Sequence, residues 1–78
     1  MSFNVLVDSF DKIKNFVAIT NSSTYDIDLL AGRNTYLDAK SIMGILSCNI
    51  AEPMTIIVNC NDEEENSRLK TKLQPYIV

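Results

Sequence analysis

Met54-Thr55-Ile56-Ile57-Val58 is the most β-prone stretch of the chain, preceded by Pro53 and apolar enough to serve as the central strand of a sheet. The polar run Asn61-Asp62-Glu63-Glu64-Glu65 follows, a capping residue with carboxylates in a first helical turn. Arg68, Lys70 and Lys72 lie toward the other end, so both sets of charges complement a helix dipole. Leu69 and Leu73 stack at i and i+4, and Pro75 ends the pattern, which predicts a helix near residues 62 to 74.

On the upstream side, Ser41-Ile42-Met43-Gly44-Ile45-Leu46 alternates too little for a half-buried strand and has a serine where a cap belongs, predicting a short helix near 41 to 48. Before it, Tyr25, Ile27 and Leu29 alternate with polar neighbours, and Gly32-Arg33-Asn34 separates them from Thr35-Tyr36-Leu37, which reads as a hairpin. At the start of the chain Phe3, Val5 and Val7 alternate again. Ser9 then supplies a cap, Asp11 sits in a first turn, and Ile13, Phe16, Val17 and Thr20 share one helical face. That helix, near 9 to 22, ends in the polar cluster Asn21-Ser22-Ser23. The predicted architecture is α+β in the order β-α-β-β-α-β-α. Four mainly antiparallel strands, near 2 to 7, 25 to 31, 34 to 38 and 54 to 60, are covered on one face by three helices as an open-faced β-sandwich.

Composition bounds the rest. With 78 residues, 46% apolar and 22% charged, the chain has the mix of an ordinary globular protein, and a single domain over residues 1–78 is expected. Ten Asp and Glu against seven Lys and Arg leave a net charge of -3, which repels a phosphate backbone, so direct nucleic-acid binding is not expected. The N-terminal stretch carries Asp8 and has too short an apolar run for an export signal or a membrane span, and two cysteines fall short of a secreted disulfide scaffold. A cytoplasmic protein with reduced, buried thiols and no membrane attachment is the expectation.

The segment Asp38-Ala39-Lys40-Ser41-Ile42-Met43-Gly44-Ile45-Leu46-Ser47 resembles the regulatory serine motif of the HPr phosphocarrier proteins of the bacterial sugar phosphotransferase system. Tyr25-Asp26-Ile27-Asp28, the strand 54–58 and the acidic run 62–65 add to the likeness, which covers nearly the whole chain in element order. It implies the HPr fold. It also implies serine phosphorylation at Ser41, with a serine kinase or phosphatase and a transcription regulator as protein partners. In the family, a Gly, His, Ala, Arg, Pro segment opens the first helix, and its histidine accepts phosphate. Here the corresponding stretch is Ser9-Phe10-Asp11-Lys12-Ile13-Lys14, where Asp11 or Lys12 occupies the place of the histidine, and the chain contains no histidine at all. Phosphohistidine chemistry is therefore not expected.

Two roles fit Ser41: a plain helix cap, or a modification site where free backbone N–H groups favour added negative charge. Ile42, Met43, Ile45 and Leu46 spread over an arc of about 160° at ~100° per residue, wider than a small surface helix needs. Either all four belong to the core, or Ile42, Met43 and Leu46 form part of a docking patch for a partner. Asp11 as an aspartyl-phosphate acceptor lacks a visible metal site or basic clamp. Glu63, Glu64 and Glu65 point in different directions on a helix and read as a solvated helix start. Cys48 and Cys60 have no CxxC spacing and no histidine to join them. No metal, cofactor or catalytic residue is expected. The sequence favours a non-catalytic regulatory or adaptor protein switched at Ser41, with a structural or assembly module on the same fold as the alternative.

Overall fold

The computed structural model describes all 78 residues. Its elements are β1 (Ser2–Val5), α1 (Phe10–Asn21), β2 (Ile27–Ala31), β3 (Thr35–Asp38), α2 (Ile42–Leu46), β4 (Met54–Val58) and α3 (Glu63–Lys72), followed by a 3-10 turn at Gln74–Tyr76. The strands form one sheet in the order β1-β4-β2-β3, with every neighbouring pair antiparallel.

β4 occupies an interior position because it can bury one whole face: Met54, Ile56 and Val58 are all buried, while Thr55 and Ile57 between them are half-buried. The register aligns the inward residues of its neighbours with these. Val5 of β1 stands opposite Met54, and Leu29 and Ile27 of β2 stand opposite Ile56 and Val58. The expected face of α1 closes over them, with Ile13, Phe16, Val17 and Thr20 buried. Leu69 and Leu73 add the contribution of α3 and its cap, and Ile45 that of α2. Phe16 is the largest fully buried side chain and meets Tyr76 edge-on, with ring centroids 6.0 Å apart. The hairpin turns at Gly32, whose φ of 64° lies in the left-handed region that favours glycine.

Element ends depart from the sequence expectation where backbone groups find other partners. The expected strand 2–7 ends at Val5, because the Leu6 N–H donates to the Tyr76 carbonyl (2.8 Å) instead of continuing along β4. Val7 nonetheless remains fully buried. Val78 N–H donates to the Asn4 carbonyl and Val5 bridges to Ile77, so the end of the chain closes the outer edge of β1. β2 begins at Ile27 rather than residue 25, since the Tyr25 N–H turns to the Ser23 hydroxyl. β3 begins at Thr35, the register partner of Ala31 across the three-residue turn. β4 stops at Val58 rather than residue 60, because Cys60 folds toward α3 and its sulfur accepts the Asp62 N–H. In the helices the first expected residues Ser9, Ser41 and Asp62 act as N-caps and Ser22 as the C-cap of α1, whereas α2 and α3 close earlier than residues 48 and 74, capped by Ser47 and Leu73, with Gln74 opening the 3-10 turn.

Truncating Phe16 to alanine removes the centre of this packing and is expected to cost ~3–5 kcal/mol. A small domain has a total stability of only about 5–15 kcal/mol. A large fall in the urea midpoint of unfolding would register the loss.

Candidate functional site

Ser41 caps α2 from an extended conformation (φ −110°, ψ 110°), with its hydroxyl accepting the Gly44 N–H at 3.1 Å and its carbonyl accepting the Ile45 N–H. Gly44 leaves room around this contact: a Cβ there would lie 3.3 Å from the Ser41 hydroxyl oxygen, so a larger residue would make the hydroxyl give by a few tenths of an ångström. The apolar arc that follows is divided. Ile45 is fully buried and Ile42 is half-buried against the core, whereas Met43 is 83% and Leu46 43% exposed. Ser41 therefore lies at the boundary between a packed helix face and two apolar side chains open to solvent.

The opening of α1 is built from different chemistry. Ser9 caps it by accepting the Lys12 N–H, and the Lys12 ammonium pairs with the Asp8 carboxylate at 2.9 Å. That hydrogen bond holds the Asp8 carboxyl below its ordinary range. Phe10 is half-exposed, with the Lys14 ammonium 5.7 Å from its ring centre, and Asp11 is exposed.

Between the two helices runs a polar network that the sequence reading does not anticipate. Thr20 donates to the Ala39 carbonyl (2.8 Å) and Asn21 to the Lys40 carbonyl (3.3 Å), which ties the C-terminal end of α1 to the segment leading into Ser41. Lys40 in turn donates its ammonium to the carbonyl of buried Ser23 (2.7 Å). The Ser23 hydroxyl donates to Glu65, which also receives the guanidinium of Arg68 through two nitrogens. Arg68 reaches on to the Ser22 hydroxyl at 3.1 Å. Glu65 is thus not part of a solvated helix start, and Arg68 faces this carboxylate, leaving Lys70 and Lys72 as the cations of the last turn. The Arg68 contact, with help from Ser23, holds the Glu65 carboxyl below its ordinary range, and Glu65 raises Arg68 in return. The signal was present as the i, i+3 spacing of opposite charges, but nothing in the sequence marks Ser23 as their third member.

The remaining candidates stay apart. Cys48 and Cys60 are free and half-buried rather than buried, since each lies at the margin of the core beside a helix end. The Cys60 sulfur pushes the neighbouring Tyr25 hydroxyl above its ordinary value, with Asp62 and Glu65 adding to the effect. An open cleft of about 420 Å³ is lined by Asp26, Asp28, Asp38, Lys40, Tyr36 and Asn59 among others, a surface that disfavours an anionic ligand. No group of three His, Cys, Asp or Glu side chains is arranged to hold a metal ion, and no helix is long and apolar enough to cross a membrane.

The sequence profile described as "PTS HPr component phosphorylation site" matches residues 12–73, well over half of the chain. The chain belongs to the HPr family. The match begins at Lys12, past the Ser9 cap, Phe10 and Asp11. Among solved structures, the chain is similar to HPr-C-His from Thermoanaerobacter tengcongensis at 18% identity and a TM-score of 0.73, covering 95% of this chain and 91% of that one. The phosphocarrier protein HPr from Bacillus anthracis is similar at 28% identity and a TM-score of 0.68, covering 95% and 96% of the two chains. The histidine-containing phosphocarrier protein of a Mycoplasma is similar at 15% identity and a TM-score of 0.70, covering 99% and 98%. A comparison with curated proteins finds no match. The four-stranded antiparallel open sheet with three helices is thus the HPr fold, carried by a chain without histidine.

Ser41→Ala removes the acceptor for the Gly44 N–H and is expected to lower stability by ~1 kcal/mol, the usual cost of losing a serine cap. Chemical denaturation at neutral pH measures it. The depressed Glu65 pKa makes the ionised form favour folding. That contribution is complete above the ordinary glutamate pKa and is lost as pH falls through the lower folded value. The stability gap between wild type and Glu65→Gln should therefore narrow over that acid window. A gap constant with pH would show that the ion pair contributes nothing through ionisation.

Proposed function

We propose that this chain, as a single domain over residues 1–78, is a non-catalytic regulatory or adaptor member of the HPr family. On this reading it is cytoplasmic, takes part in phosphotransferase-system regulation without carrying phosphohistidine, and is switched by phosphorylation of Ser41. The observation that carries the reading is the placement of Ser41. It is the half-buried cap of α2, with Met43 and Leu46 exposed on the same short helix and Ile42 at the edge of the core.

A phosphate on Ser41 adds roughly -1.5 to -2 charge together with three acceptor oxygens. Those oxygens can take over the Gly44 N–H, and negative charge before a helix is favoured by ~0.3–1 kcal/mol. The fold should tolerate the modification, so the change is read at the surface. A partner protein would meet apolar contact from Met43, Leu46 and part of Ile42, and would supply an arginine for the phosphate. Partners of this kind are a serine kinase or phosphatase and a transcription regulator. Nucleic acid and membrane have no direct role. The hydrogen bond from Gly44 supports a second reading as well, an assembly module on the HPr scaffold in which Ser41 does no more than cap.

HPr kinase with ATP, followed by mass spectrometry, separates the two. Modification of wild type but not of Ser41→Ala is the expected result. If neither protein is modified while a genuine HPr is labelled in the same tube, Ser41 is reduced to a cap and the scaffold reading stands. In the parallel reaction, phosphoenolpyruvate and the general phosphotransferase enzyme are expected to leave no acid-labile phosphate, because no imidazole nitrogen is present to accept it. Stoichiometric label would overturn that, and Asp11→Asn would then test the carboxylate.

A further inference from the structure

Lys40, immediately before Ser41, is held at each of its hydrogen-bonding groups. Its N–H donates to the Asp38 carboxylate (2.9 Å), its carbonyl accepts from Asn21 (3.3 Å), and its ammonium donates to the Ser23 carbonyl (2.7 Å). The preceding residue, Ala39, is fully buried and fixed on both sides, its N–H on the Ile27 carbonyl and its carbonyl on Thr20. The approach to Ser41 is accordingly a clamped segment, although it lies in a connection where mobility would be the default.

Two features show why the ammonium matters most. First, α1 has no basic residue in its last turn, and Ser23 lies one residue past its Ser22 C-cap, so Lys40 supplies from another segment the cation that the carbonyl end of this helix lacks. Second, the receiving residue is itself secured. Ser23 is buried, its hydroxyl is bonded to Glu65, and Glu65 is locked by Arg68 one turn along α3. A lysine bonded to an unsupported surface carbonyl would gain little, because ordering its long side chain offsets the contact. Here the acceptor is anchored to two helices.

We infer that Lys40 is a positioning residue for Ser41, using the buried Ser23 carbonyl, braced by Glu65 and Arg68, to fix the cap segment in the geometry that a modifying enzyme meets. The functional half of this inference rests on the Ser41 reading above, while the clamp can be measured without it. In wild type the Gly44 amide donates to the Ser41 hydroxyl and the Ile45 amide to the Ser41 carbonyl, so their exchange with solvent reports how well the cap is held. Lys40→Met keeps an unbranched side chain of similar length and removes the donor. Lys40→Arg retains a cationic donor. Glu65→Gln weakens the brace from a distance without touching Lys40.

Amide exchange by NMR is measured on all three variants, with Ile56 in the middle of the sheet as the control for global stability. Exchange at Gly44 and Ile45, taken relative to Ile56 so that any change in global stability is removed, is expected to accelerate about fivefold in Lys40→Met, to a smaller extent in Glu65→Gln, and to return toward wild type in Lys40→Arg. The kcat/KM for modification by HPr kinase and ATP should fall in the same order. Unchanged exchange in Lys40→Met overturns the inference, even if modification slows, because the ammonium then acts by touching the enzyme. Faster exchange with unaltered modification kinetics overturns the positioning role. If the kinase modifies no form, including wild type, the Ser41 reading fails by itself, and the exchange rates still decide for or against the clamp.

Discussion

The inner face of β4 is the constraint on which the rest of the molecule depends. Met54, Ile56 and Val58 require a cover of apolar side chains, and the strand has neighbours on both edges, so both pairings must align their own inward residues with these. A slip of one residue in either register would turn Val5 or Leu29 to the open face. Once that alignment holds, α1, α2 and α3 have one common surface to close over. The connection between β3 and α2 then lies against the end of α1, and this position gives Ser41 its setting.

The sequence was most informative where one local force acts alone. The buried stripe Ile13, Phe16, Val17 and Thr20 follows from helical spacing, and the Ser9 and Ser41 caps follow from residue type and position. The turn at Gly32 follows from the conformational freedom of glycine. Strand ends were less legible, because they are set by partners distant in sequence. Nothing near Leu6 says that its N–H will bond to Tyr76, and nothing near Cys60 says that the chain will leave the sheet there to meet α3.

The same distinction divides the candidate site. Ser41 was legible, as was the excess width of the apolar arc after it, since exposure of Met43 and Leu46 is the outcome of a stripe too broad for one short helix to bury. The supporting residues were not. Thr20 counts as one more member of a buried face until its hydroxyl is seen to bond Ala39, and Lys40 counts as one more surface cation until its ammonium is found on Ser23. Charges and hydroxyls on different elements carry no periodicity of their own, so only the assembled fold shows which of them meet.

The pairing of β1 has a consequence for how the molecule is made. Ser2 stands opposite Ile57, 55 residues further along, and the outer edge of the same strand is closed by residues 76–78. During synthesis β1 therefore remains without its partner until β4 has followed it, while the β2–β3 hairpin can form as soon as its turn is complete. The contact order is raised by this pairing, and loop closure over that distance slows folding. In the interval the apolar residues Phe3, Val5 and Val7 form a short sticky segment with unsatisfied edges, the kind of surface that a chaperone recognises on a nascent chain.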